Sequence, residues 1–595
     1  MTLRPVPRLP VAHARRGRSP LLALAGLCAS ATLACATCGS PDPTTPTPTT
    51  SAATTPDPNP ATAPRLVVDI FAFARVLGTI APCGCTTEPL GGLQYAFGYI
   101  EANSRPQTRL VLEPGSFLFA DPTSPEAARD EAAWAQAEQR ATALQARFTR
   151  LGPQLVSGVG PTDLTSPKSD LALETWPMPR VLANSRALDK RGVQPHRLVR
   201  LGDAALGVDA GVTAVVEPGL TPTLAAEAPA DALRREVTAM RAAGAELTVV
   251  LLQGSRQTAE QLARDVAGID MIVVGVPVGL ERTRLGAPSA RIGSTWVVEP
   301  GEQAQTVTHV RLQIEPAAVA AFPPGDAWTA VVTKDTQNRE LARLDARIAK
   351  FRADPGADQA FVARLEQERA ALAAQLEQPV AITGAVAVTV EQAKISCKQA
   401  ADADAARALH DYDDWVATRN KQRFAGVRAP APAKGQPGYV GGEQCSACHS
   451  EAAEHWDATR HTQAYATLER VNKQFDLSCV GCHVTGFRAP GGAEVVENAG
   501  LQAVQCEQCH GPGSQHVATP EKKGKPFAIR REATVEVCKQ CHTPEHSDTF
   551  DYEAYLRDIL GPGHGAAKRA ALGEGPTGHE LRAAGLAKAG GGCMK

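Results

Sequence analysis

Methionine is almost missing from the second half of this 595-residue chain: after Met271 the next is Met594, beside the C-terminus. Thioether ligation of a metal by methionine is therefore nearly excluded there. Histidine is just as scarce between residues 65 and 330, where His196 and His309 stand alone. Net charge is missing too, at −2 from 61 Lys and Arg against 63 Asp and Glu. That balance gives no electrostatic reason for a nucleic-acid partner. Long apolar runs are confined to the extreme N-terminus, so nothing later reads as a membrane-spanning helix.

What is present is unevenly placed. Ten of the 14 histidines follow residue 440, and eight of the 15 cysteines fall in four short motifs in the same stretch. At this length two or three domains are expected. The basic RPVPRLPVAHARRGRS and apolar LLALAGLCASATLACATC read as an export signal over 1–38. Cys35 or Cys38 is a candidate lipid-bearing first residue of the mature chain, and hence for membrane association. The alternative is an ordinary cleaved signal with passenger cysteines. Residues 39–64 are rich in Pro and Thr and read as an extended spacer.

Residues 65–330 read as an α/β domain. LTVVLL (247–252), QTAEQLARDVAG (257–268) and IDMIVVG (269–275) make a strand–helix–strand unit. A helix is expected over 124–148, with Ser124 as cap and Pro125 at its first position, and an alternating strand over 306–315. Residues 331–427 read as helical: an αα-hairpin over 337–378 turning at Pro-Gly, a short strand VAVTV (386–390) and a helix over 402–424. A Pro/Gly linker (428–438) leads to the motif region, 439–560, which is expected to be mainly helical and irregular. Residues 561–595 read as a flexible tail.

The motifs are CSACH (445–449), CVGCH (479–483), CEQCH (506–510) and CKQCH (538–542). Two cysteines separated by two residues can both reach one edge of a porphyrin, and the following histidine is placed to bind its iron. The pattern therefore predicts four covalent c-type haems. The attaching pairs are Cys445/Cys448, Cys479/Cys482, Cys506/Cys509 and Cys538/Cys541; the proximal ligands are His449, His483, His510 and His542. Structural zinc is the rival reading, but zinc does not require a histidine directly after every second cysteine. A C-x-x-C disulfide closes too small a loop to gain much.

Each iron has a second axial position. With methionine absent, histidine is expected, from His461, His516, His546 and His455; His564 and His579, in a Gly/Ala-rich stretch, read as solvent residues. Spare histidines outnumber the open positions, and one site is open to remain without a protein ligand. The basic run EKKGKPFAIRR (521–531) reads as a solvated loop, with docking of a redox partner protein as the alternative.

The stretches YVGGEQCSACHSEAAEHWDATRHTQAYATL, QFDLSCVGCHVTGFRAPGG, VQCEQCHGPGSQH and CKQCHTPEHSDTFDYEAY resemble the tetrahaem cytochrome c-554 family over 439–554. The resemblance implies close-packed haems passing electrons between partners, with His461 and His516 as distal ligands. Residues 65–315 are similar to a diverged 5′-nucleotidase-type metallophosphoesterase domain through LEPGSFLFAD, VVLLQGS and IDMIVVGVP. Where that family carries metal ligands, this chain has Ser116, Gln253 and Val276 or Pro277. A two-metal hydrolase needs several histidines, so the α/β part is expected to be a scaffold or partner-binding module. PCGC (82–85) followed by Gly91-Gly92 is similar to a motif in such domains fused to cytochromes. Cys83 and Cys85 are open to a disulfide, with Cys397 as a partner, to a metal or redox role, or to free thiols. Cys593 reads as a passenger. Electron transfer is the expected function. The alternatives are a haem oxidoreductase acting on a small nitrogen compound, and a hydrolase with an attached redox module.

Overall fold

Runs of Val, Leu and Ile build two six-stranded sheets in the computed structural model. It describes residues 64–590 except 83, 123–129, 168–176, 278–283, 333, 355, 357, 379, 381 and 520–528. The expected signal, Cys35, Cys38, the spacer up to Ala63, Cys83, Cys593 and most of the basic run lie outside the described residues.

The first sheet holds β1 (Leu66–Ala72), β2 (Arg109–Glu113), β3 (Leu155–Ser157), β10 (Thr306–Ile314), β11 (Thr329–Ala330) and β12 (Val386–Lys394), in the order β11-β12-β10-β1-β2-β3. The second holds β4 (His196–Gly202), β5 (Gly207–Val216), β6 (Leu247–Gln253), β7 (Met271–Gly275), β8 (Gly286–Ile292) and β9 (Thr295–Pro300), in the order β4-β5-β6-β7-β9-β8. Both sheets are mixed. β1 runs parallel to β2 and antiparallel to β10, while β5, β6, β7 and β9 run parallel.

Alternate side chains serve opposite faces, as the pleat requires. Val68, Ile70 and Ala72 of β1 pack with Val249, Leu251 and Val273 between the sheets. Phe71 faces the other way, into a layer formed with the helices Leu93–Asn103, Glu131–Thr149 and Ala403–Arg423. Helices Pro229–Ala242 and Arg256–Asp265 cover the outer face of the second sheet. The result is a helix–sheet–sheet–helix sandwich. The αα-hairpin, Lys334–Arg352 and Gln359–Leu376, closes on a small cluster of Leu344, Ile348 and Leu365.

Four expectations about the fold need correction. The helix expected from Ser124 runs Glu131–Thr149 and is capped by Asp130, whose carboxylate accepts from Ala133 N–H; Ser124 and Pro125 lie outside the described residues. The strand expected over 386–390 continues to Lys394 and pairs along β10, so it completes the first sheet. The 428–438 linker is tied down: Gly491 N–H donates to Pro430 O, and Gly438 exchanges bonds with Ser514. The tail expected from residue 561 folds into a helix, Gly578–Lys588, with a Thr577/Glu580 capping box. Arg582 there donates to Cys85 O, and Lys398 reaches Ala589 O.

The motif region packs directly on the sandwich. Asn420, fully buried, donates to Gln136 Oε1 and Phe475 O, and Gln136 donates to Asp476 at 2.5 Å. Lys473 pairs with Asp413, and Arg488 with Asp130. Ala132 and Phe424 share an apolar cluster with Val480, inside the second motif, and Val484, just after it. Cys397 is disulfide-bonded.

Candidate functional site

Each motif begins or lies on a short helical turn: Gly442–Ser446, Val480–His483, Cys506–His510 and Val535–Lys539. Residues three apart on a helical turn share a face, and Cys506 and Cys509 both lie on the turn Cys506–His510. His449 N–H donates to Cys445 O and His542 N–H to Cys538 O, closing the turn that carries each histidine. The motifs meet in pairs: the Cys445 thiol hydrogen-bonds Cys506, and Cys541 hydrogen-bonds Cys482.

Cys448 and Cys482 are the exposed cysteines of the four motifs, whereas Cys445 is half-buried. For Cys448 the reason is local. It falls past the end of the Gly442–Ser446 turn, in the run Ala447–Glu451 that is exposed throughout. Its N–H bonds Cys445 O at 3.2 Å, which holds the turn but leaves the side chain at the surface. The case for Cys448 as an attachment residue therefore rests on its spacing from Cys445 and His449 and not on packing.

The histidines are oriented through one nitrogen. His483 Nδ1 lies 2.6 Å from Ala464 O, His510 Nδ1 2.8 Å from Arg530 O, and His542 Nδ1 3.0 Å from Ser547 Oγ. His564 Nδ1 contacts Ile559 O at 2.8 Å, and His546 Nδ1 contacts Thr543 Oγ1 at 2.9 Å. An imidazole that donates from Nδ1 presents a basic Nε2, which is how ligating histidines are usually held. Burial, with a smaller push from His542, holds His461 down to about 4. It is neutral at ordinary pH, the form in which imidazole binds a metal.

The rings also lie near one another in pairs. Two imidazoles on opposite sides of one metal, each bonded at about 2 Å, put their ring centres about 6 Å apart. His449 and His516 are 6.3 Å apart, His542 and His461 6.0 Å, and His510 and His564 5.9 Å. His483 is lowered mainly by burial and also by the nearby charge of His546. Each motif histidine thus has another histidine near it, and the donor set fits bis-imidazole iron.

Of the expected distal candidates, His461, His516 and His546 are brought to motif histidines. His455 stands 6.4 Å from His564, with its Nε2 buried and no hydrogen-bond partner. His564, read from the sequence as a solvent residue, is the ring beside His510; the turn Gly561–Gly565 folds it back, with Gly561 N–H bonded to His564 O. Its only sequence signal is a histidine inside Gly-Pro-Gly-His. His579 is exposed on its helix.

One supporting residue gives no sequence signal. Glu507, between the cysteines of the third motif, is buried and accepts from Val440, Gly441 and Gly513 N–H. It therefore joins the loop entering the first motif to the Gly511-Pro512-Gly513 turn before His516, one on each side of the His449/His516 pair.

In the sandwich Ser116 and Gln253 come together. Ser116, held at φ 61° after Gly115, donates from Oγ to Gln253 Oε1 at 3.1 Å, and Gln253 donates to Gly115 O. Val276 O accepts from buried Arg75. Asp163 accepts from the N–H groups of Ser116, Phe117, Leu118 and Gly160. His196 bonds Glu236, and buried His309 bonds Asp69 inside the first sheet. Among the described residues no group of three or more His, Cys, Asp or Glu is placed to hold a metal ion.

Residues 444–511 match the family described as cytochrome c554 and c-prime. The matched residues lie in the C-terminal region and hold three of the four motifs. Over 105 residues the chain is 34% identical to cytochrome c-554 of Nitrosomonas europaea, covering 15% of this chain and 45% of that protein. The chain thus spans less than half the length of this relative. The calcineurin-like phosphoesterase YfkN of Bacillus subtilis is 16% identical over 42% of this chain and 86% of its own, with a TM-score of 0.34. The 5′-nucleotidase precursor of Thermus thermophilus is 14% identical over 72% of this chain and 71% of its own, at 0.38. At such scores the sandwich is described by its own strand order. No helix among the described residues is long and apolar enough to cross a membrane.

Proposed function

We propose that this is an exported multihaem c-type cytochrome whose work is electron transfer, with the sandwich as a non-catalytic platform. Four haems are attached at Cys445/Cys448, Cys479/Cys482, Cys506/Cys509 and Cys538/Cys541. The supporting observation is the near-6 Å spacing of His449/His516, His542/His461 and His510/His564. His483 with His546 completes the set. When bound, c-type haem supplies reversible one-electron chemistry.

The chain's own residues hold and orient. Ala464 O, Arg530 O and Ser547 Oγ fix the motif imidazoles. The paired approach of the motifs, Cys445 to Cys506 and Cys482 to Cys541, keeps adjacent cofactors close enough for a relay. Nitrogen ligands on both faces favour low potentials compared with His–Met ligation. Redox partner proteins are the implied partners, and the periplasm or cell envelope the implied place, since C-x-x-C-H haems accompany an export signal.

An optical and electron paramagnetic resonance (EPR) redox titration of the purified holoprotein tests the reading. The expected result is four low-spin haems, all below the range of His–Met cytochromes. A spectrum without haem bands, or haem lost on denaturation and extraction, sinks it. The Ser116–Gln253 hydrogen bond stands where the resemblance would put metal ligands, so no phosphoesterase activity is expected with added divalent metal.

A further inference from the structure

We propose that the sandwich controls axial coordination in the haem region through a clamp on residues 543–548, with Thr87 and Arg284 acting as positioning residues for His542 and His546. This rests on the reading of those two histidines as iron ligands.

The clamp has two jaws. Thr87 N–H donates to both oxygens of Asp548, at 3.0 and 3.2 Å, and Thr87 Oγ1 donates to Asp548 Oδ2 at 2.6 Å. Arg284 Nη1 donates to Pro544 O at 3.0 Å. Ser547, between these anchors, and Thr543, just before the first of them, supply the groups that orient both imidazoles. Thr543 Oγ1 contacts His546 Nδ1 at 2.9 Å, and Ser547 Oγ contacts His542 Nδ1 at 3.0 Å. The short segment that sets two ring orientations is thus pinned at both ends by the sandwich.

The Thr87 jaw is itself braced. Lys394, at the end of β12, pairs with Glu88 at 2.7 Å, and Gly91 N–H donates to Ile395 O. Gly585 lets the C-terminal helix lie against the loop, since a Cβ there would come within 2.9 Å of Thr87. A route therefore runs from the first sheet, through Lys394, Glu88 and Thr87, to the segment that orients His542 and His546. Hydrogen bonds to a carboxylate are the stronger kind, so their loss releases the segment rather than merely loosening it. An orienting partner next to a ligating histidine tunes its affinity for metal.

The test uses holoprotein carrying Asp548→Ala, Thr87→Val, Thr87→Ser or His546→Ala. The readouts are EPR spin state, CO binding after reduction, and haem per chain. Asp548→Ala is expected to give about tenfold more high-spin, CO-binding iron than the unaltered protein, because it loses every Thr87 bond. Thr87→Val should give a smaller rise, and Thr87→Ser should restore the parent spectrum, all at unchanged haem per chain. The clamp is overturned if His546→Ala turns one iron high-spin while Asp548→Ala and Thr87→Val leave every iron as in the parent. If His546→Ala also changes nothing, the clamp again fails, and the fault lies in the assignment of His546 as a ligand.

Discussion

The sandwich and the motif region are stabilised in opposite ways. In the sandwich, whole strands such as RLVLE, LTVVLLQ and MIVVG are buried, and three apolar clusters fill the layers. In the motif region one small cluster around Val480, Val484 and Val495 carries the packing, and none of the motif cysteines and histidines is fully buried. Apolar area scales with the number of buried side chains. The first region can therefore hold itself together, whereas the second depends on a cofactor to complete its interior.

The largest expected effect follows directly. Chain produced without haem attachment should show fast amide exchange throughout 439–560, while β1, β6 and β7 stay protected. Equal protection in apo and holo forms would erase the contrast. Next in size, His461→Ala should convert one iron from low to high spin, and His564→Ala a different one, both visible by EPR. His455→Ala should leave the spin states alone, since His455 is nearest to His564 rather than to a motif histidine.

The seam between the regions should respond moderately. Asn420→Ala leaves Phe475 O and the Gln136 amide without their buried donor, at a cost of about 1–3 kcal/mol. Exchange at the amides of 475–483 should quicken, with the sandwich strands unchanged. The smallest effect belongs to the sandwich alone. Burial, and then the charge of Asp163, push Glu113 well above the ordinary carboxylate range, against bonds from Gly115 and Ser157 that pull it down. A raised folded value gives stability that is present in acid and lost as pH rises through that value. Glu113→Gln should therefore gain stability relative to the parent as pH rises above the ordinary carboxylate range in thermal melts. A constant difference over that rise would mean that Glu113 keeps its ordinary affinity for protons.

The two regions also differ in how far their sequences speak. Attachment cysteines and proximal histidines are legible because covalent linkage imposes a local spacing, and that spacing is written into C-x-x-C-H. Spacing says nothing of exposure, so Cys448 at the surface and half-buried Cys445 look alike in sequence. The buried strands are legible through their Val- and Leu-rich runs. Distal pairing is set by chain reversals far apart in sequence, so His461 and His516 come with a family resemblance while His564 passes for a solvent residue. Glu507 is silent because its three backbone donors come from two distant loops. The helix Gly578–Lys588 looks like tail because its docking depends on small residues, such as Gly585, that carry no apolar periodicity. The place of β12 in the first sheet cannot be read from VAVTV alone, since pairing with β10 is a long-range choice.

The most direct measurement of the central claim is the intact mass of denatured holoprotein made alongside a haem-attachment system, read with its pyridine haemochrome spectrum. The account predicts a mass above that of the polypeptide by four haems, with the colour staying on the chain. A mass equal to the bare polypeptide, or colour that extracts into acidified solvent, would contradict it.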